Sequence, residues 1–308
     1  MIEKIIEKLN LLKNNNQKGY RCFQEKDHYY GLDKEGNIVF LIQSNNLKPV
    51  IMQETKHLML IKNLKCLLSI DGKENKGYFD IIICMSKDCG HIRAFVELTN
   101  MFENNNPDLS ITDYFLYLKD LFTHRQKISA RELQGIYSEL LFMHYIYGKG
   151  VDLYRYWQST DRMKFDFSIN DTKKIEVKST IGENRVHKFR HEQLVTDIFD
   201  IWIVSILLRK DDKGLSLYEL ANIVKQECGH NLKVLAHIQN LLLNYPIEDL
   251  KSMKFNKAYT IENIALYKAI DVPKFQGRQP NGVSNTEYDS DLNNISNRAI
   301  EEFFEWLK

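Results

Sequence analysis

Two carboxylates and an ammonium stand close together between Lys164 and Lys178, where the chain reads Lys-Phe-Asp-Phe-Ser-Ile-Asn-Asp-Thr-Lys-Lys-Ile-Glu-Val-Lys. Read as a β-hairpin, this segment puts Asp166, Glu176 and Lys178 on one side. Such a set can hold a divalent cation and an activated water against a phosphodiester. Hydrolysis of that ester needs a cation to neutralise developing charge and a hydroxide near neutral pH. Hard oxygen ligands suit Mg²⁺, which keeps several waters and takes one or two carboxylates; Mn²⁺ is expected to substitute. On this reading Asp166 and Glu176 are ligands and the Val177 carbonyl is a third oxygen. Lys178 orients the water and stabilises the transition-state charge.

An acid two residues before a lysine is a weak signal. Asp71-Gly-Lys73, Glu74-Asn-Lys76, Asp171-Thr-Lys173, Asp211-Asp-Lys213 and Asp249-Leu-Lys251 share it, all in turn-like or polar settings. Only Glu176-Val-Lys178 lies in an alternating strand, with Ile175 and Val177 on the opposite face. Phe79-Asp80 and Phe199-Asp200 repeat the Phe-Asp step, but neither has a Glu-x-Lys at hairpin distance. The competing reading is a surface hairpin with an exposed Glu176–Lys178 pair and a solvated Asp166. Two flanking features favour the site. The preceding helix carries Gly135 and Glu139 one turn apart, so the glycine is expected to permit close helix–sheet approach beside the carboxylates. The following segment is basic: over residues 173–191 six Lys and Arg face two Glu, a surplus of four positive charges. Arg185, His187, Lys188, Arg190 and Gln193 are the substrate-binding candidates, since clustered cations suit a phosphate backbone.

These residues need elements to hold them. Ser129-Ala-Arg-Glu132 is a capping box that starts a helix with Leu133, Ile136, Tyr137, Leu140 and Leu141 on its buried face, ending near Gly148. Strands are expected at 163–169, 174–180, about 201–208 and about 259–270. A second capping box, Ser216-Leu-Tyr-Glu219, opens a helical insert at about 214–243, of a size that would read DNA or brace the core; bracing is favoured. A terminal helix covers 297–307, after a Pro/Gly/Asn-rich loop at 271–282. Ahead of all this, residues 2–13 read as a helix, followed by an Asn14-Asn15-Asn16 linker. The next stretch is β-rich: a hairpin turning at Gly36-Asn37, then strands at Leu58–Ile61, Cys66–Ile70, Phe79–Cys84 and Ile92–Leu98. A helix is expected at 110–124. The expected domains are 1–125, β-rich, and 126–308, bearing the site.

The chain has 308 residues and is 44% hydrophobic, which fits a packed globular protein. Its formal net charge of +1 means that any nucleic-acid surface must be local. Five cysteines are scattered with no C-x-x-C pair, which argues for reduced thiols and against structural zinc. Cys89-Gly-His91 and Cys228-Gly-His230 lack partner pairs. The N-terminus is an amphipathic helix start rather than a signal peptide, and no apolar run reaches the roughly 20 residues of a membrane span. A cytoplasmic protein is expected.

A helix with Glu139, a strand with Asp166, a strand with Glu176-Val-Lys178 and a basic segment with Gln193 resemble the core of the PD-(D/E)XK nuclease superfamily. Within it the chain more closely resembles the bacterial "PD-(D/E)XK motif protein" family of phage-defence and restriction loci. Glu176-Val-Lys-Ser179, Arg185-Val-His187, Gln193-Leu194 and Gly214-Leu-Ser-Leu217 carry that likeness. The motif's proline is absent, and Phe165 precedes Asp166. The resemblance implies an α/β (α+β), restriction-endonuclease-like mixed sheet flanked by helices, after a β-rich N-terminal region. It implies Asp166 and Glu176 as metal ligands, Lys178 as the catalytic lysine and Glu139 as an auxiliary acid that ligates directly or through water. It also places Gln193 and His187 near phosphate or metal-bound water. The expected activity is that of a Mg²⁺-dependent DNA endonuclease in restriction or anti-phage defence, with DNA as partner. Double-strand cutting by a single site would favour a homodimer. The alternative is a non-catalytic DNA-binding or scaffolding subunit, its large N-terminal half docking an ATPase or methyltransferase.

Overall fold

A computed structural model describes residues 2–12, 19–44, 49–102, 110–123, 129–158, 165–229, 231–275, 282–283 and 285–308. The Asn14-Asn15-Asn16 linker, Lys164 and the start of the expected 163–169 strand, His230 and half of the 271–282 loop lie outside them. The chain forms two compact units, residues 1–125 with 235–244, and residues 126–234 with 245–308.

The first unit contains α1 (Ile2–Leu11), β1 (Tyr20–Glu25), β2 (His28–Leu32), β3 (Ile38–Gln43), β4 (Ile51–Glu54), β5 (Leu58–Ile70), β6 (Lys73–Cys84), α2 (Cys89–Thr99) and α3 (Ile111–Thr123). Its strands are ordered β1-β2-β3-β6-β5-β4, and β1 also pairs in parallel with the far end of β5. The sheet therefore closes into a five-stranded ring, with β4 as an added edge. Val39, Leu41, Leu68, Phe79 and Ile81 pack together in one core of this sheet. On the other face the Tyr30 hydroxyl meets Thr99 Oγ1 of α2 at 2.8 Å. The β2–β3 turn is held by Asp33, whose carboxylate accepts the amides of Glu35 and Asn37, with Gly36 at φ +73°. The expected strands Leu58–Ile61 and Cys66–Ile70 are one long strand, β5, with a register shift between Ile61 and Leu64. Ile92–Leu98 is helix α2 and not a strand. Asp88 caps it by accepting the His91 amide at 3.0 Å, and Ala94, Phe95 and Leu98 fall on one buried face. Local β-propensity hid a helical period that the cap enforces.

The second unit begins with α4 (Ala130–Tyr147), followed by β7 (Phe167–Ser168), β8 (Lys173–Thr180), β9 (Val186–Arg190), β10 (Asp200–Leu207) and β11 (Lys210–Ser216). Then come α5 (Leu217–Glu227), α6 (Leu232–Asn244), α7 (Ile247–Ser252), β12 (Lys254–Phe255), α8 (Lys257–Glu262), β13 (Ile264–Lys268), β14 (Glu287–Asp291) and α9 (Ile300–Leu307). A four-stranded mixed sheet has the order β13-β10-β8-β7, with β8 and β10 parallel and the other pairs antiparallel. The fold is thus mixed α/β. Both capping boxes form: Ser129 Oγ accepts the Glu132 amide at 3.2 Å, and Ser216 Oγ accepts the Glu219 amide at 3.1 Å. The expected 259–270 strand splits, because Asn256 caps the short helix α8 by accepting the Tyr259 amide before β13 begins. Within the insert, α5 belongs to this unit, whereas α6 from Leu235 onward groups with the first. Phe165, Phe189, Leu194, Ile201 and Ile203 form the core beside β8 and β10. Among the described residues no helix is long and apolar enough to cross a membrane.

Candidate active site

Strand β8 lies between β10 and β7, and the middle of the strand is buried on both faces. Ile175, Glu176 and Val177 are accordingly all buried, and Glu176 is only 2% exposed. A carboxylate there must be paired or neutralised. Its Oε1 meets Lys178 Nζ at 2.6 Å and accepts from Gln193 Nε2 at 2.5 Å. Among the described residues its Oε2 is buried without a hydrogen-bond partner. Lys178 Nζ also donates to Gln193 Oε1 at 3.3 Å and sits 5.4 Å from the centre of the Phe189 ring. Gln193 Oε1 accepts the Arg190 amide at 3.0 Å. The Gln193 amide therefore bridges acid and ammonium with its own orientation fixed.

Asp166 precedes the short strand β7, which pairs Phe167 with Ile175 and so delivers the aspartate beside Val177. Asp166 Oδ2 accepts the Val177 amide at 2.7 Å. Glu139 arrives from α4, which reaches β8 through Gln134: its Nε2 donates to the Ser179 carbonyl and hydroxyl at 3.3 and 3.2 Å. Glu139 Oε2 accepts from Trp157 Nε1 at 2.6 Å. Gly135 does not create the close approach. A Cβ there would meet no described atom within 4 Å, so the polar Gln134 side chain makes the link instead.

The electrostatics follow from burial. Asp166 is raised well above the ordinary carboxylate range, first by desolvation and then by the neighbouring Glu176 and Glu139. Glu139 is raised to about 7 by burial, with the Trp157 hydrogen bond opposing the rise. Glu176 is raised by burial, against the pull of Lys178. For Lys178, burial works downward, but the charges of Glu176 and Asp166 outweigh it and the ammonium is held above its usual value. Three acids around one ammonium are short of positive charge.

A divalent cation would supply it. Among the described residues no three or more His, Cys, Asp or Glu side chains are arranged as a ready metal cage. Mg²⁺ does not require one, since it keeps most of its waters. The orphaned Glu176 Oε2 beside a desolvated Asp166 fits such an ion.

The other candidates are placed differently. His187 is buried in β9 with Nε2 2.7 Å from Ser205 Oγ, and burial lowers it to about 4. Arg185 gives Nη1 to the Ser205 carbonyl at 2.8 Å and Nη2 to the Asn263 carbonyl at 2.8 Å. His187 thus ties β9 to β10, and Arg185, just before β9, ties to β10 and to the residue that ends α8. Lys188 and Arg190 are exposed on β9, but β14 sets Asp289 opposite Lys188 and Glu287 opposite Arg190. Lys173 donates to the Trp306 carbonyl at 2.6 Å, and Lys174 to the Asn170 carbonyl at 2.7 Å. The local positive surplus is thus largely answered inside the protein. Of the candidates, Glu176, Lys178 and Gln193 meet directly, with Asp166 and Glu139 electrostatically coupled to them. Nothing in the spacing of Trp157 marks it as their neighbour; it follows a one-turn 3₁₀ helix, Tyr154–Tyr156, in an irregular stretch.

A family model described as "Putative PD-(D/E)XK family member, (DUF4420)" matches residues 4–293. No curated protein and no solved structure matches the chain.

Proposed function

The chain belongs to this PD-(D/E)XK family, and on that premise we propose that it is a metal-dependent DNA endonuclease acting in bacterial restriction or anti-phage defence. One observation carries the reading: a buried Glu176 whose free oxygen and two neighbouring acids await a positive charge that Lys178 alone does not provide. Asp166, Glu176 and the Val177 carbonyl would hold Mg²⁺, or Mn²⁺ in its place. When bound, the ion supplies Lewis acidity at the phosphate and lowers the pKa of its water.

The chain's own groups do the rest. Lys178, fixed by Glu176 and Gln193, points a cationic donor at the attacking water and at the charge that grows on the phosphate. Gln193 offers that ammonium a second acceptor beside Glu176. Glu139, poised near neutrality, can accept a proton from water at the site. The test is cleavage of plasmid and phage DNA with and without Mg²⁺. Wild-type protein should cut only with the ion, and Asp166→Ala and Lys178→Ala should not cut. Activity persisting in both variants would remove this site from the reaction.

A second reading has one observation in its favour. The cations of residues 173–190 are largely committed to internal partners, which leaves little surface to grip DNA unaided. A subunit that meets its substrate within a larger defence assembly would show this, whether with an ATPase, a methyltransferase or a second copy. That reading predicts no cleavage by the isolated chain under any divalent ion.

A further inference from the structure

Trp157 is 1% exposed and stands outside every motif that marks the site. The chain has three tryptophans. Trp306 gives its N–H to Asp200 Oδ2 at 2.6 Å, on the surface. Among the described residues the Trp202 N–H is buried with no hydrogen-bond partner. Trp157 gives its N–H to Glu139 Oε2 at 2.6 Å, inside the protein.

The backbone of the same residue reaches the second acid. Trp157 forms an antiparallel bridge with Phe167, next to Asp166. The following amide, Gln158 N–H, donates to the Asp166 carbonyl at 2.8 Å. Gln158 is itself anchored, its Oε1 accepting from Lys233 Nζ at 3.2 Å. One dipeptide therefore fastens Glu139 through a side chain and Asp166 through the main chain. These acids come from different elements, a helix and a strand, and the described structure records no direct hydrogen bond between their side chains.

A glutamate on a helix has three rotatable bonds and sweeps a wide arc unless something holds it. The indole donor removes that freedom by engaging Oε2. Partners of this kind orient metal ligands and commonly matter nearly as much as the ligands. We propose that Trp157 is a positioning residue for the cation site: its N–H fixes the Glu139 carboxylate, and its bridge to Phe167 with the Gln158–Asp166 bond sets that carboxylate's placement relative to Asp166. The proposal rests on the metal-nuclease reading. The competing view is that Trp157 is only an apolar plug whose N–H takes the nearest acceptor.

Trp157→Phe separates the two, because it keeps an aromatic ring and deletes the donor. Two measurements on the full chain are needed. Mn²⁺ binding by calorimetry should weaken about 10-fold in Trp157→Phe, with the melting temperature close to that of wild type. The Mn²⁺ concentration for half-maximal cleavage should rise by the same factor. Independently of that variant's folding, the ¹⁵N–¹H indole resonance of Trp157 should move upfield in Glu139→Gln, while those of Trp202 and Trp306 stay in place. An unmoved Trp157 resonance, or wild-type Mn²⁺ affinity in folded Trp157→Phe, overturns the proposal. Wild-type protein that binds Mn²⁺ but cuts no DNA removes the nuclease reading and leaves the positioning role to these two measurements. Wild-type protein that binds no Mn²⁺ overturns both.

Discussion

Strand β8 and the ribbon of β9 and β14 carry the same kinds of charged residue in opposite states. On β8, Glu176 is buried, and the acids around it outnumber the single ammonium of Lys178. On the ribbon, Lys188 and Arg190 face water with Asp289 and Glu287 directly across. The ribbon satisfies its charges cheaply, since exposed cross-strand pairs contribute well under about 1 kcal/mol each. The β8 set is held in place against its own desolvation. An arrangement that costs stability and persists is where function is to be sought.

The largest expected contrast is in cleavage. Lys178→Ala should lower the cutting rate by about 10²–10³-fold, whereas Lys188→Ala with Arg190→Ala should leave it near wild type. Comparable losses from both would mean that the ribbon touches the reacting phosphate. A contrast in stability comes next. Lys178→Met leaves Glu176 without its ammonium and should cost roughly 3 kcal/mol in urea unfolding, against less than about 1 kcal/mol for Lys188→Met. Equal costs would show that the β8 pair is not desolvated.

Acidity sharpens the same point. Glu139 in the folded chain is raised to about 7, above its unfolded value, so the folded state binds its proton more tightly. Its stabilising contribution is complete below about pH 4.5 and is lost as pH rises through 7. Glu139→Gln lacks this term, so the variant should gain on wild type over that interval. At about 1.4 kcal/mol per tenfold change, the gain is on the order of 3 kcal/mol. Paired denaturation curves at pH 5 and pH 8 without added metal measure it, and a constant difference would refute the shift. The smallest effect belongs to Gly135. With no described atom within 4 Å of a Cβ there, Gly135→Ala should stabilise α4 by about 1 kcal/mol in thermal melts.

The same contrast explains what could be read before the structure. The hairpin of Asp166, Glu176 and Lys178, the two capping boxes and Gln193 are local patterns, and they appear where spacing put them. The fate of the basic segment was not legible. The β14 residues that face Lys188 and Arg190 lie about a hundred positions away in sequence, and no local rule pairs them. Arg185 and His187 looked like surface cations, yet Ser205 on β10 draws both inward. Burial on both faces of β8 likewise escapes an alternation rule, which expects one wet face. Ile92–Leu98 failed for the opposite reason: a strong local propensity yielded to a cap three residues before the Ile92 run's first buried neighbour, His91.

Helix α6 bears on how the protein is made. Residues 235–244 complete the first unit, where Gly90 approaches Leu243 and Gln239 bonds to Glu97. Leu235, Ile238 and Leu241 are all buried. During synthesis the N-terminal barrel must therefore wait, with an apolar face uncovered, while more than a hundred further residues leave the ribosome. A fragment ending at residue 125 should be sticky and poorly soluble. Supplying 235–244 as a separate peptide should rescue it, a ready means to rebuild the first unit from two pieces.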